Sequence, residues 1–115
     1  VADAVLPAIF RGARAEVLAT SEETFGRSLA EGMACGCPAV AQDLPVLREV
    51  AGEAGAYCDF ADTAAAAAAL TAVCTDDRLV ARLSAAGVAR AAEFSYARLA
   101  RERVGAVLAL LEGRR

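Results

Sequence analysis

Two carboxylates, Glu23 and Glu31, stand on either side of a predicted helix start that carries Gly26. Backbone N–H groups at a helix start, together with the helix dipole, favour a phosphate or another anion. Gly26 lets the backbone approach a ligand closely, because it has no side chain. Carboxylates accept hydrogen bonds from vicinal hydroxyls. The spacing therefore suits a ligand with a sugar at one end, a diphosphate in the middle and a ribose at the other.

The same carboxylates also have a purely structural interpretation. Glu23 is typical of a first-turn carboxylate favoured by the helix dipole. Glu31, which lies off the helix face shared by Leu29 and Met33, can pair with Arg27 four residues earlier. Such an exposed pair contributes only about 0.2–0.5 kcal/mol. Two glutamates at this spacing occur by chance in many proteins, so the spacing alone favours the structural interpretation.

Short strands and helices alternate on both sides of this segment. Apolar runs predict three strands, at residues 16–20, 38–42 and 54–59. Helical signals predict three helices, at residues 6–13, 26–35 and 45–51. This alternation is typical of parallel βαβ units. We therefore predict an α/β fold: a partial Rossmann-like parallel sheet of about three strands, with helices on both faces.

A helical extension is predicted after the sheet. Asp62 is a plausible N-cap for a helix over residues 63–74, and Asp76 or Asp77 for a second that ends near residue 93. Ser95 caps a third, which runs to about residue 112. Its stripe at three- and four-residue steps comprises Tyr96, Leu99, Arg103, Val107 and Leu111. Such a stripe predicts a surface helix packed against the core, and is weak evidence for a partner.

Composition excludes several classes of protein. The 115 residues suffice for one domain, and 57% of them are apolar. A net charge of −3 with no basic cluster argues against nucleic-acid binding. No apolar run approaches the length of a membrane span, and no signal peptide is visible. The chain contains neither His nor Lys, so it provides no Ser-His-Asp triad, no Schiff-base lysine, no Walker lysine and no His metal ligand.

The four cysteines indicate a compartment rather than a function. Cys35 and Cys37 form a Cys-x-Cys pair, but zinc sites need wider spacing and a second pair, which Cys58 and Cys74 do not form. We expect small buried thiols in a reducing environment, and hence a cytoplasmic protein without a metal site.

The segment from Glu23 to Ala41 reads E-T-F-G-R-S-L-A-E-G-M-A-C-G-C-P-A-V-A. It resembles the Glu-x7-Glu motif of glycosyltransferase family 4, E-G-F-G-x-x-x-x-E-A-M-A-x-G-x-P-V-V-A. Thr24, Gly32 and Ala39 depart mildly from this pattern. The resemblance continues through residues 43–52 and 56–59, and at 94–96, where Phe-Ser-Tyr replaces a common Phe-Ser-Trp. It covers effectively the whole chain, as the C-terminal, donor-binding domain of a retaining GT-B enzyme.

The resemblance implies a role for each residue of the motif. Glu23 would be the catalytic carboxylate, in contact with donor-sugar hydroxyls near the carbon undergoing transfer. Glu31 would accept from the nucleotide ribose, and Thr24, also in the donor-binding segment, could narrow the sugar pocket. The backbone amides expected at the distal phosphate and sugar are those of Phe25, Gly26 and Arg27. The substrate would be a nucleotide-diphosphate sugar, transferred with retention, and no metal or other cofactor is expected.

The resemblance also implies partners outside residues 1–115. The family holds its diphosphate with an upstream Arg and Lys, and places the acceptor in an N-terminal domain. We therefore expect a fragment, the C-terminal portion of the donor domain, inactive alone. The last helix would pack on the N-terminal domain, and any peripheral membrane association would come only from regions outside this chain. Two alternatives stay open: a GT-B phosphorylase or nucleotide-sugar epimerase, and a non-catalytic GT-B-like assembly module.

Overall fold

A parallel three-stranded sheet lies at the centre of the chain in the computed structural model, which describes residues 3–114. Its strands, in spatial order, are β1 (Glu16–Leu18), β2 (Ala39–Gln42) and β3 (Gly55–Cys58). The register pairs Val17 with Val40, and Val40 with Ala56. The predicted α/β class and parallel sheet are confirmed, although each strand is one or two residues shorter than predicted.

Six α-helices occur among the described residues, each within two residues of its predicted bounds. They are α1 (Leu6–Gly12), α2 (Arg27–Ala34), α3 (Pro45–Ala51), α4 (Thr63–Thr75), α5 (Asp77–Ala91) and α6 (Tyr96–Glu112). Short 3-10 turns follow α3 and α5, at Gly52–Ala54 and Ala92–Phe94. The order β1-α2-β2-α3-β3 is that of two consecutive parallel βαβ units, in which each helix returns the chain to the same end of the sheet.

The last three helices begin at the predicted caps. Asp62 accepts hydrogen bonds from two amides in the first turn of α4, at 3.0 and 3.1 Å. Of the two candidates for α5, Asp76 is the cap. The Ser95 hydroxyl accepts from the first turn of α6 at 3.3 Å. Each such cap is worth about 1 kcal/mol to the helix that it starts.

Two apolar clusters cover the two faces of the sheet. Successive strand residues point to opposite faces, so Ala39 and Ala41 lie in one cluster and Val40 in the other. The first cluster holds the buried side chains of α2 and α3, chiefly Leu29, Met33, Leu47 and Val50. The second holds Ala66, Val73 and Leu83 from α4 and α5. The prediction of helices on both faces is therefore confirmed.

Helix α6 departs from the prediction, because its apolar stripe is not packed against this core. No residue of α6 is buried, and the stripe residues Tyr96 and Leu111 are 89% and 55% exposed. Only Leu99, in the first turn, is half-buried. The amphipathic pattern was identified correctly, but residues 3–114 supply nothing that covers it.

The cysteines fit their prediction only in part. Cys37 and Cys58 are buried, Cys35 is half-buried, and Cys74 is exposed on α4. The expectation of four buried thiols is therefore wrong for Cys74, which falls on the outer face of its helix. No helix within residues 3–114 has both the length and the apolar character needed to cross a membrane.

Candidate functional site

The loop between β1 and α2, residues 19–26, carries most of the predicted site. Strand β1 ends at Leu18 and α2 begins at Arg27, so the β1–α2 loop lies at the carboxyl edge of the parallel sheet. Open α/β sheets bind their ligands at this edge. The fold therefore places Glu23, Thr24, Phe25 and Gly26 where the sequence analysis expected a ligand.

The Glu23 side chain binds the backbone of its own loop, just ahead of α2. Its Oε1 accepts hydrogen bonds from the backbone N–H groups of Thr24, at 3.0 Å, and Phe25, at 3.4 Å. The amides of Thr24, Phe25 and Gly26 hold the pKa of the Glu23 carboxyl below its usual value. In this arrangement the Phe25 amide, which was expected to face a phosphate, bonds to Glu23.

Gly26 is required by the backbone and by packing. Its φ is 85° and its ψ 59°, in the left-handed region, which disfavours residues with a side chain. A Cβ at this position would lie 2.6 Å from Cδ2 of the buried Leu47. The backbone conformation and the packing against Leu47 therefore explain glycine at position 26, in addition to the close ligand approach that the sequence suggests.

Arg27 and Glu31 form an ion pair on the outer face of α2. Arg27 Nε lies 3.0 Å from Glu31 Oε1, and the two side chains are 85% and 40% exposed. Leu29 and Met33 point to the sheet with no exposed surface, so the predicted division of the helix into two faces is confirmed. An exposed pair of this spacing stabilises the helix by about 0.2–0.5 kcal/mol. A ligand hydroxyl can therefore replace Arg27 as the hydrogen-bond partner of the Glu31 carboxylate at little cost in free energy.

Two grooves meet at this ion pair. One, of about 490 Å³, lies between α1 and α2 and is lined by Asp3, Leu6, Pro7, Phe10, Arg27, Glu31, Ala34 and Cys35. The other, of about 610 Å³, lies between α2 and the start of α6 and includes Phe25, Phe94, Tyr96 and Leu99. The sequence analysis missed the contribution of α1, since its residues carry no motif and adjoin Glu31 only through tertiary packing.

A family model described as "Glycosyl transferases group 1" matches residues 1–90. The match covers the sheet, α1 to α4, most of α5 and every residue of the predicted site. The chain belongs to this family. Group 1 membership agrees with the resemblance of the Glu23–Ala41 segment to the C-terminal domain of a GT-B glycosyltransferase, and the α/β structure agrees with a Rossmann-like portion of that domain.

Two curated proteins resemble the chain in sequence. It is 35% identical over 96 residues to O-antigen chain mannosyltransferase B of Escherichia coli, a match that covers 84% of this chain and 25% of the relative. It is 46% identical over 67 residues to phosphatidyl-myo-inositol mannosyltransferase of Mycobacterium leprae (strain TN), covering 56% and 18%. The chain thus spans a quarter or less of the length of these relatives.

Gly32, where the family 4 pattern has alanine, lies directly against the carboxylate of Glu16. A Cβ at Gly32 would overlap Oε2 of Glu16, on β1, and would lie 3.2 Å from Cε1 of Phe10. Glu16 Oε2 is buried and has no hydrogen-bond partner among residues 3–114. Burial raises the pKa of Glu16, the adjacent Ser28 hydroxyl lowers it, and Glu31 raises it. Because Gly32 has no Cβ, the Glu16 carboxylate can lie between β1 and α2.

Metal ligands are not grouped within the described part of the chain. No cluster of three or more Cys, Asp or Glu side chains there has the geometry to hold a metal ion. The polar groups at this edge are instead the Glu23 and Glu31 carboxylates, the Arg27 guanidinium and the first amides of α2. These groups suit hydroxyl and phosphate binding.

Proposed function

We propose that this chain forms part of the donor site of a retaining glycosyltransferase that uses a nucleotide-diphosphate sugar. The observation that carries the proposal is the placement of Glu23 and Glu31 around the start of α2, at the carboxyl edge of the sheet, in a member of the group 1 family. In this proposal Glu23 meets the sugar, the first amides of α2 meet the diphosphate, and Glu31 meets the ribose.

The charges at the helix start suit the bond that breaks. Cleavage of the anomeric bond develops positive charge on the sugar and negative charge on the departing diphosphate. Glu23, whose pKa is lowered by backbone amides, stays ionised at neutral pH and opposes the positive charge. The positive end of the α2 dipole opposes the negative charge. No metal ion is needed for this arrangement.

Glu23 and the diphosphate would compete for the same amides. In the structure the Glu23 carboxylate accepts from Thr24 and Phe25. We infer that a bound phosphate takes the amides of Phe25, Gly26 and Arg27, and that the displaced Glu23 carboxylate then turns to the sugar hydroxyls. The Thr24 side chain, where the family pattern has glycine, would limit the room for the sugar.

The groove between α1 and α2 is the proposed place for the ribose and base. Glu31 lies at its edge, opposite Leu6, Pro7 and Phe10. A carboxylate beside an apolar wall suits a nucleoside, whose ribose hydroxyls donate and whose base stacks on apolar surface. Both relatives are named mannosyltransferases. A mannosyl donor is therefore the first candidate.

The exposed face of α6 is the proposed contact with the N-terminal domain of the same enzyme. Val104, Val107, Leu108 and Leu111 are all more than half exposed on this helix. A row of apolar side chains over several turns is typical of a covered helix face. The acceptor and the remaining diphosphate ligands would come from those other parts of the enzyme.

Calorimetric titration of the full-length protein tests the proposal. We expect it to bind one nucleoside diphosphate from a panel, and to transfer mannose from the matching nucleotide-mannose. Failure of every nucleoside diphosphate to bind would reject the donor site and favour a non-catalytic assembly module. Release of a sugar phosphate in the presence of inorganic phosphate would instead indicate a phosphorylase.

Two variants separate the proposed roles. Glu31→Ala should weaken nucleoside diphosphate binding about tenfold or more, because the ribose hydroxyls lose a charged acceptor. Glu23→Ala should reduce kcat more than it reduces nucleotide affinity. Glu22→Ala removes an exposed neighbouring carboxylate and serves as the matched control. If neither variant changes binding or turnover, Glu23 and Glu31 are solvent-exposed carboxylates without a role in donor binding.

A further inference from the structure

An aromatic contact joins the β1–α2 loop to the segment that leads into α6. The rings of Phe25 and Phe94 meet edge to face, with centroids 5.5 Å apart and planes at 88°. Phe25 lies between Glu23 and Gly26, in the middle of the proposed donor segment. Edge-to-face pairs at this distance are attractive beyond their buried area. The loop thus has a specific tertiary contact close to its functional residues.

Phe94 is itself held in place by Arg90 and by the core. The Arg90 guanidinium lies 5.0 Å from the centroid of the Phe94 ring. Arg90 donates to the last carbonyls of α3, with Nε 2.9 Å from Val50 O and Nη2 2.7 Å from Glu49 O. Phe94 is half-buried and packs against the core cluster that contains Leu29. Its ring therefore presents a fixed surface to Phe25.

The hydrogen bonds of the β1–α2 loop, by contrast, are local. Thr20 donates to Glu22 O, and Glu23 accepts from Thr24 and Phe25. Such bonds shape the loop but do not hold it against the rest of the molecule. The Phe25 ring on Phe94, together with Gly26 against Leu47, supplies that attachment.

We propose that Phe94 is a positioning residue, clamped by Arg90, that fixes Phe25 and so orients Glu23 and the first amides of α2 for the donor. Phe94 directly precedes Ser95, the cap of α6. The contact between Phe25 and Phe94 therefore links the β1–α2 loop to the segment that leads into α6. This inference rests on the proposed function for its catalytic consequence.

Leucine variants test the contact while keeping apolar volume. In the full-length protein, Phe94→Leu should raise the KM for the nucleotide-sugar about two- to tenfold, the range expected from loss of one aromatic pair. Phe25→Leu should do the same, and the double variant should be no worse than either single one. Additive effects of the two changes would contradict the proposal.

Phe60→Leu is the matched control for a purely structural role. Phe60 is also half-buried, but it packs against the core cluster on the opposite face of the sheet. It should lower Tm to a similar degree as Phe94→Leu and leave the KM for the donor unchanged. If both variants change Tm and KM equally, Phe94 contributes to stability alone and has no separate role in positioning Phe25.

Hydrogen exchange separates this inference from the proposed function, since it needs no donor. At millisecond labelling times, Phe94→Leu should accelerate exchange of the amides at residues 24–28, and Phe60→Leu should not. Unchanged exchange in Phe94→Leu would overturn the positioning role even in an active enzyme. Accelerated exchange in a protein that binds no nucleotide would support the contact and reject the donor site.

Discussion

Helices α2 and α6 are both amphipathic, but residues 3–114 cover the apolar face of only one of them. Leu29 and Met33 of α2 have no exposed surface, whereas Val107 and Leu111 of α6 are both 55% exposed. The periodicity of apolar residues therefore predicts that a face is to be covered, but it does not identify what covers it. The following predictions test that difference, from the largest expected effect to the smallest.

Truncation of the covered face should have the largest effect. Leu29→Ala should lower the free energy of unfolding by about 2–5 kcal/mol, because it leaves a cavity against the sheet. Leu111→Ala, the matched change on the apolar stripe of α6, should lower it by less than about 0.5 kcal/mol. Denaturant unfolding measures both. Similar losses would mean that Leu111, too, is covered in the folded protein.

Gly26, at the start of α2, and Gly105, within α6, allow the same comparison of a covered and an exposed site to be made for the backbone. Gly26→Ala should destabilise the protein by about 1–3 kcal/mol, because alanine disfavours φ 85° and its Cβ would meet Leu47. Gly105→Ala should stabilise it by about 0.5–1 kcal/mol, since a Cβ there has nothing within 4 Å and alanine favours a helix interior. Thermal unfolding with the same sign for both would contradict this account.

The contact between Gly32 and the Glu16 carboxylate can be tested with a pair of substitutions, the second of which should offset the first. Gly32→Ala should cost about 1 kcal/mol or less, because the displacement of the Glu16 carboxylate by the added methyl group is partly offset by the better helix propensity of alanine. Glu16→Asp shortens that side chain, so the double variant should recover most of the loss. A double-mutant cycle measures the coupling. Additivity would show that the two side chains do not compete for one space.

The pH dependence of stability should change slightly when Glu16 becomes Gln. Burial raises the pKa of Glu16 above its ordinary value of 4.5. As pH rises through this range, Glu16 loses its proton in the unfolded state first, so its contribution to the free energy of unfolding falls. Gln cannot ionise, and Glu16→Gln should gain stability relative to wild type from pH 4 to pH 7. A difference that stays constant over this range would reject the raised pKa.

The local elements were predictable because their signals lie close together in the chain. Asp62 and Ser95 begin α4 and α6, and Pro45 begins α3, each through contacts within one helical turn. The alternation of elements around Gly26 predicted the parallel sheet, and the Glu23–Ala41 motif predicted the family. The roles of Glu23 and Glu31 in donor binding stay predictions.

By itself, the sequence determined the order of elements and the two faces of α2. It also determined that Glu23 precedes the start of α2 and that Glu31 lies within the helix. Only the tertiary structure decided that Glu16 fills the space beside Gly32, that Phe94 meets Phe25, and that α6 lies away from the core. The physical reason is distance along the chain. Caps and periodicity depend on neighbouring residues, whereas these contacts depend on how separate elements pack together.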